Sequence, residues 1–179
     1  MNVVLQSILG SAIDVTGAQR GWIVVPDGDA LEVVAAVNSG DLIGVTVPSN
    51  AGSAAYVLAS GQPMAMMPRE DDPAATEGVA AHVGVRPSAV LCVPCAHDDE
   101  VLGVLELVDK RDGGGFTFDD VELVTLLAGI AGAALRPDPG AREVRSPEEL
   151  CTELRQLAST DPTAYIGVAS VLEALLARG

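Results

Sequence analysis

Residues 85–135, VRPSAVLCVPCAHDDEVLGVLELVDKRDGGGFTFDDVELVTLLAGIAGAAL, decide the fold. Ala89, Leu91 and Val93 alternate with Ser88, Val90 and Cys92, and residues 101–108 form a second run rich in valine and leucine, so both read as strands. The link His97-Asp98-Asp99-Glu100 is short and polar, which pairs the two strands antiparallel as a hairpin. Asp109-Lys110-Arg111-Asp112 and the run Gly113-Gly114-Gly115 end the second strand. A helix follows. Thr117 is placed to cap it through its hydroxyl, and Asp120, three residues on, is the acidic partner of a capping box. Val121, Val124, Leu127, Ala128, Ala131 and Leu135 then fall on one helix face.

Upstream, Leu5, Ile8, Leu9, Ala12 and Val15 repeat at helical spacing, and Gly17 stops that helix. GWIVV (21–25) and LEVVAAV (31–37) form a first hairpin around the turn Pro26-Asp27-Gly28-Asp29. Val45-Thr46-Val47-Pro48 is a short edge strand, because proline cannot donate to a ladder. Ser49 or Asn50 caps a helix containing Ala54, Ala55, Val57 and Leu58, which ends at Ser60-Gly61. Met64 to Met67 is a further strand. Arg69-Glu70-Asp71-Asp72-Pro73 is a charged loop, residues 74–83 are weakly helical, and Gly84 to Pro87 turn into the central hairpin.

The segments GVRPSAVLCVP, GVLELVDKRDG and FTFDDVELVTLLAGIAGAAL resemble the last two central strands, connecting loop and final helix of GAF domains. The opening helix followed by GWIVVPDGDALEVVAAV resembles the beginning of the same fold, so the resemblance extends over residues 5–135. It implies an α/β (α+β) domain with a central antiparallel sheet of about six strands, the terminal helices on one face, and a pocket with loops and small helices on the other. It also places a ligand on that second face. There Met64, Met66, Arg69, His82 and Arg86 are the candidate contacts, and a lining of Val, Ala and Met suits a small apolar or aromatic molecule. Asp109-Lys110-Arg111-Asp112 occupies the place of the Asn-Lys-x-Asp motif of cyclic-nucleotide-regulated GAF domains, with Asp in first position. The resemblance gives this motif a structural role, with Lys110 and Asp112 as an ion pair.

Composition narrows the partners. Ten Lys and Arg against 25 Asp and Glu leave a formal charge of −15, which disfavours nucleic acid and anionic membrane surfaces as partners. No run approaches the roughly twenty apolar residues of a membrane span, and the amino terminus lacks the basic flank of a signal peptide. Three cysteines fit a reducing compartment, so the expected location is cytoplasmic. Only five residues are aromatic, so small aliphatic side chains must build the core.

Chemistry-bearing constellations are sparse. Cys92-Val93-Pro94-Cys95 has CxxC spacing, but residues three apart on a strand point to opposite faces, and no second ligand pair exists for zinc. The spacing of Cys92, Cys95 and Cys151 is unlike that of GAF-fold methionine sulfoxide reductases. No cysteine lies between Asn38 and Leu91 to carry a bilin. His82 and His97 are the only histidines, too few for a metal cluster, and structural roles suit them better than haem ligation. The three glycines lack the lysine and Ser/Thr of a phosphate loop. The carboxylates sit in turns and helix starts. No catalytic residues, no metal site and no identifiable cofactor emerge.

Beyond residue 136 two prolines and a glycine mark a linker, 137–145, followed by a helical extension, 146–179, in two helices. Ser146-Pro147-Glu148-Glu149 starts the first, with Leu150, Leu154, Leu157 and Ala158 as its stripe. Asp161-Pro162 starts the second, with Tyr165, Val168, Ala169, Leu172, Leu175 and Leu176. The expectation is a non-enzymatic cytosolic sensor that binds a small molecule and signals as a homodimer through its terminal helices. The alternative is a ligandless dimerisation or interaction module whose tail engages a protein partner; a thiol-dependent reductase ranks third.

Overall fold

A computed structural model of the chain describes residues 2–69, 72, 76–136, 147–160, 162, 165–166 and 168–169. The chain divides into two units, Met1–Arg136 and Pro137–Gly179. In the first, helix α1 (Val3–Thr16) leads into strands β1 (Ala18–Asp27), β2 (Ala30–Val37) and β3 (Thr46–Pro48). Helix α2 (Gly52–Ser60), strand β4 (Met64–Met66) and the short helix α3 (Gly78–His82) precede the central hairpin of β5 (Val90–His97) and β6 (Glu100–Lys110), and α4 (Phe118–Leu135) closes the unit. The strands form one six-stranded sheet in the order β3-β2-β1-β6-β5-β4, with every paired neighbour antiparallel.

Local chemistry accounts for most element boundaries. Asn2 caps α1 by accepting from the Val4 and Leu5 amides, and Gly17, at φ 71°, ends the helix in the left-handed conformation that a side chain disfavours. Asp98 and Asp99 both take positive φ, 48° and 64°, which is the backbone of the tightest antiparallel hairpin turn and suits the strand twist. Thr117 and Asp120 form the capping box of α4 in both directions.

Two local expectations are corrected. Val15 is exposed rather than on the buried stripe of α1; Ile13 and Thr16, each four residues past the buried Leu9 and Ala12, take its place, and the Thr16 hydroxyl is satisfied there by the Ala12 carbonyl. Neither Ser49 nor Asn50 caps α2, whose N-cap is Ala51 with no side-chain bond; Ser49 instead donates to the Asp29 carbonyl and ties the edge strand to the β1–β2 turn.

The sheet separates two apolar cores. On one face Leu5, Ile8, Leu9, Ala12 and Ile13 of α1 and Val124, Ala128 and Ala131 of α4 pack on Ile23, Leu91, Val93, Cys95, Leu105 and Leu107. Each such leucine or isoleucine contributes about 1.5–3 kcal/mol relative to exposure. Helix α4 comes so close that a Cβ on Gly132 would overlap the Ala96 carbonyl, so this glycine is required by contact. On the other face α2 and α3 supply Ala54, Val57, Val79 and Ala80 against Trp22, Val24, Val90, Cys92, Val104 and Val108.

In the second unit α5 (Pro147–Thr160) carries an exposed Cys151, with Leu154, Leu157 and Ala158 partly buried. Residues 162, 165–166 and 168–169 are also helical, and Tyr165, Ile166 and Val168 are exposed. The expected linker 137–145, the Ser146 cap, the Leu150 side chain and Leu172, Leu175 and Leu176 lie outside the described residues, as do Glu70, Asp71 and residues 73–75.

Candidate functional site

One transverse row of side chains defines the second face of the sheet. Strand register aligns Ala36 with Trp22, Trp22 with Glu106, Glu106 with Cys92, and Cys92 with Met64, so five strands each place one residue across the face. Glu106 sits at its centre and is 3 % exposed. Trp22 Nε1–H donates to Glu106 Oε2 at 3.0 Å, and the Ser53 hydroxyl, descending from α2, donates to Oε1 at 2.8 Å.

Burial pushes the Glu106 carboxyl above the ordinary carboxylate range, and hydrogen bonds from Trp22, Ser53 and Cys92 offset only part of that effect. Burial, reinforced by the adjacent Glu106, likewise pushes the Cys92 thiol well up. A neutral carboxyl fits this geometry. Oε2 must accept from the indole, while Oε1 and the Ser53 hydroxyl can exchange donor and acceptor roles.

Sequence reasoning missed this cluster. Glu106, like Glu32 on β2, departs from the placing of carboxylates in turns and helix starts, and its signal was present: it is a lone acid inside the apolar run VLGVLELV, in phase with Val104 and Val108. Strand alternation commits such a residue to one buried face, where an acid needs partners. Ser53 could not be anticipated, because its reach to Glu106 depends on how α2 seats.

Met64 and Met66, the candidate residues on β4, are partly buried against this same core, with Met64 at the end of the Glu106 row. Arg69 is exposed beyond β4, and His82 is exposed at the last position of α3. Arg86 is exposed and, with Thr76, Ala81, Gly84 and Val85, lines a surface cleft of about 230 Å³. The structure therefore joins Met64 and Met66 to the core, puts Arg86 in the cleft, and leaves Arg69 and His82 on the surface. Under α2 the face is filled by Trp22, Val57 and their neighbours. A separate open hollow of about 330 Å³ lies on the opposite face, beside Leu5, Val34 and Leu135.

The loop Asp109 to Asp112 braces the framework. Asp109 Oδ1 accepts from both the amide and the hydroxyl of Ser88, at 2.7 and 2.8 Å, and fixes the entry to β5. Lys110 pairs with Asp120 at 2.8 Å, which corrects the expected Lys110–Asp112 pair: Asp112 instead accepts from the Gly114 amide and closes its own turn. Partial burial raises the Asp120 carboxyl, but the bonds from Lys110 and Thr117 outweigh it and hold the group below its usual range. His97 stands near Asp98 and Arg136, and the Arg136 guanidinium donates to Asp98 at 2.7 Å.

Cys92 and Cys95 belong to the cores on opposite faces, as strand alternation requires, and burial pushes the Cys95 thiol up to about 12. No helix among the described residues is long and apolar enough to cross a membrane.

Comparison with known proteins agrees with this architecture. The GAF-B domain of DevS from Mycobacterium smegmatis superposes with a TM-score of 0.59 at 19% identity, covering 87% of this chain and 97% of that one. A methyl-accepting chemotaxis protein fragment, residues 122 to 287, gives 0.64 at 22% identity, covering 75% and 87%. The type II free methionine-R-sulfoxide reductase from Thermoplasma acidophilum gives 0.60 at 12% identity, covering 75% and 91%. At these identities the likeness is one of fold. The sequence profile of the GAF domain, in general a small-molecule-sensing regulatory module, matches residues 1–136, and the chain belongs to the GAF domain family.

Proposed function

We propose that this chain is a non-enzymatic cytoplasmic sensor whose binding side is the sheet face beneath α2 and α3, and whose output surface is the outer side of α1 and α4. The observation that carries this reading is the asymmetry of the two faces. Long helices cover one face and still present Val4, Val15, Leu123, Leu126 and Ile130 outward, with Leu126 71% exposed. The short helices α2 and α3 cover the other, next to the Arg86 cleft. An outward apolar row on two adjacent helices suits self-association with a second copy, giving a homodimer through the terminal helices. Met64, Met66, Arg69, His82 and Arg86 are the proposed ligand contacts, Arg86 through the cleft and the methionines after rearrangement of the core edge.

Native mass spectrometry of the freshly purified chain tests both halves. A dimer with retained small-molecule mass is the expected result, and Leu126→Glu with Ile130→Glu should return it to monomer. A monomer without added mass, unchanged by those substitutions, contradicts the reading.

The second reading is a ligandless interaction module that uses its helical tail. The filled core beneath α2 favours it, since Trp22 and Val57 are fully buried where a ligand would lie. Truncation before residue 146 separates the possibilities: a soluble, equally stable domain that loses a protein partner supports a tail acting on that partner, while aggregation shows that the tail completes the fold.

A further inference from the structure

We infer that Glu106 is the latch of a gated face: through Ser53 it holds α2 down on the sheet, and α2 lifts as a local unit to expose the row from Trp22 to Met64. This rests on the reading of that face as the sensor's binding side and gives the regulation of the same site.

The geometry carries the inference. On the second face Ser53 is the polar tie between α2 and the sheet: it donates to Glu106 at 2.8 Å and also has a side-chain hydrogen bond with Cys92, while Ala54 and Val57 of α2 make apolar contacts. Helix α2 has nine residues, no side-chain cap and no acidic residue in its first turn, so it is too short to persist unless something holds it. Glycines in the left-handed conformation bound it at both ends, Gly52 at φ 80° and Gly61 at φ 65°, so the helix cannot extend and gain length. By contrast, α4 has 18 residues, a complete capping box and a glycine-seated contact on Ala96. Local opening follows the weaker cover.

The surroundings of Glu106 set the response to pH. Trp22 faces it from β1, Ser53 from α2 and Cys92 from β5; α3 turns Val79 and Ala80 to this core and leaves Glu77 and His82 exposed. No cation among these groups compensates a charge on Glu106. Burial raises the carboxyl in the closed state, so it holds its proton to higher pH there than in the open state, where it meets water. Because the closed form is the one that holds the proton, closure is strongest below the ordinary carboxylate range and weakens as pH rises toward the raised value of the closed state.

Cys92 and Cys95 are built-in reporters of the two faces, since Cys92 lies beside Glu106 and Cys95 lies under α4. The test is alkylation of the full-length Cys151→Ser chain by iodoacetamide, resolved by site in a mass spectrometer and normalised to the same thiols in the urea-unfolded chain. No ligand is added. Cys92 should be at least tenfold less protected than Cys95, with little dependence on low urea. Its protection should fall as pH rises, and Glu106→Gln, which keeps an acceptor for Trp22 and a donor for Ser53, should flatten that fall. Ser53→Ala, which keeps the Trp22–Glu106 bond, should lower Cys92 protection about tenfold, the effect of one hydrogen bond to a buried acceptor. Equal protection of Cys92 and Cys95 at all urea concentrations overturns local opening. An unaltered pH response in Glu106→Gln, or unchanged Cys92 protection in Ser53→Ala, overturns the latch. Failure here leaves the mass-spectrometric search for a ligand unaffected, and an empty mass spectrum leaves the latch standing, so the two readings fail separately.

Discussion

The two faces of the sheet are built from the same strands and differ in what seals them. The α1/α4 face is closed by helices of 14 and 18 residues over a core whose buried members are aliphatic side chains and one cysteine. The α2/α3 face is closed by helices of nine and five residues over a core that contains a tryptophan and a buried acid. Long apolar stripes give the first face stability without directional bonds. The second face depends on a hydrogen-bonded group whose protonation matters, and a partly satisfied polar centre is costly in a low dielectric. The lesson is that one sheet supports a rigid scaffold on one side and a conditional cover on the other, with the distinction written in helix length and in one acid.

The sharpest way to break this comparison is Gly132→Ala. The new Cβ would collide with the Ala96 carbonyl, so α4 must move off the sheet, with an expected loss of about 3 kcal/mol in urea unfolding; a wild-type midpoint would mean that α4 is not seated there. Next is Glu106→Ala, which leaves the Trp22 N–H and the Ser53 hydroxyl buried without their acceptor and should cost about 2–3 kcal/mol by the same measurement. Glu106→Gln should stay close to wild type in acid and gain relative stability as pH rises, because the carboxyl raised by burial loses its stabilising contribution as pH climbs from the ordinary carboxylate range through its raised folded value.

Asp120→Asn sharpens the contrast from the other direction at about 1–2 kcal/mol, by removing the charge that pairs with Lys110 and closes the cap. Asp120 is held below its usual range, so its contribution is present above the ordinary carboxylate range and is lost as pH falls through its lowered folded value. Acid titration of unfolding should therefore be shallower in Asp120→Asn, while titration upward from the ordinary carboxylate range should be shallower in Glu106→Gln. Smallest of all, Ser88→Ala removes one bond to Asp109 at an exposed site and should cost about 0.5–1 kcal/mol, measured as a small shift of midpoint with unchanged slope.

The sequence made the scaffold face readable because its signals are local and periodic. The α4 capping box, the His97–Glu100 turn, the α1 spacing and the edge strand at Pro48 each follow from a few adjacent residues, and the GAF-like hairpin and helix at residues 85–135 agree with the matched family. The second face was less readable because its central contact is distant in sequence: Ser53 and Glu106 are 53 residues apart. The motif resemblance pairs Lys110 with Asp112, whereas the helix start brings Asp120 to it across the loop. Glu106 itself was legible from strand phase, but its partners were not. Of the candidate contacts, strand register explains Met64 and Met66, while Arg69, His82 and Arg86 depend on the path of a loop that hydrophobic periodicity does not specify.

The central claim, that one face is a scaffold and the other a releasable cover, is tested most directly by native-state hydrogen exchange across a series of low urea concentrations. Amides of α2 should exchange through an opening that depends little on urea and is well below the global unfolding free energy, while those of α1 and α4 exchange only with global unfolding. Equal protection and equal urea dependence in α2 and α4 would show that the two faces open together, and the account would be wrong.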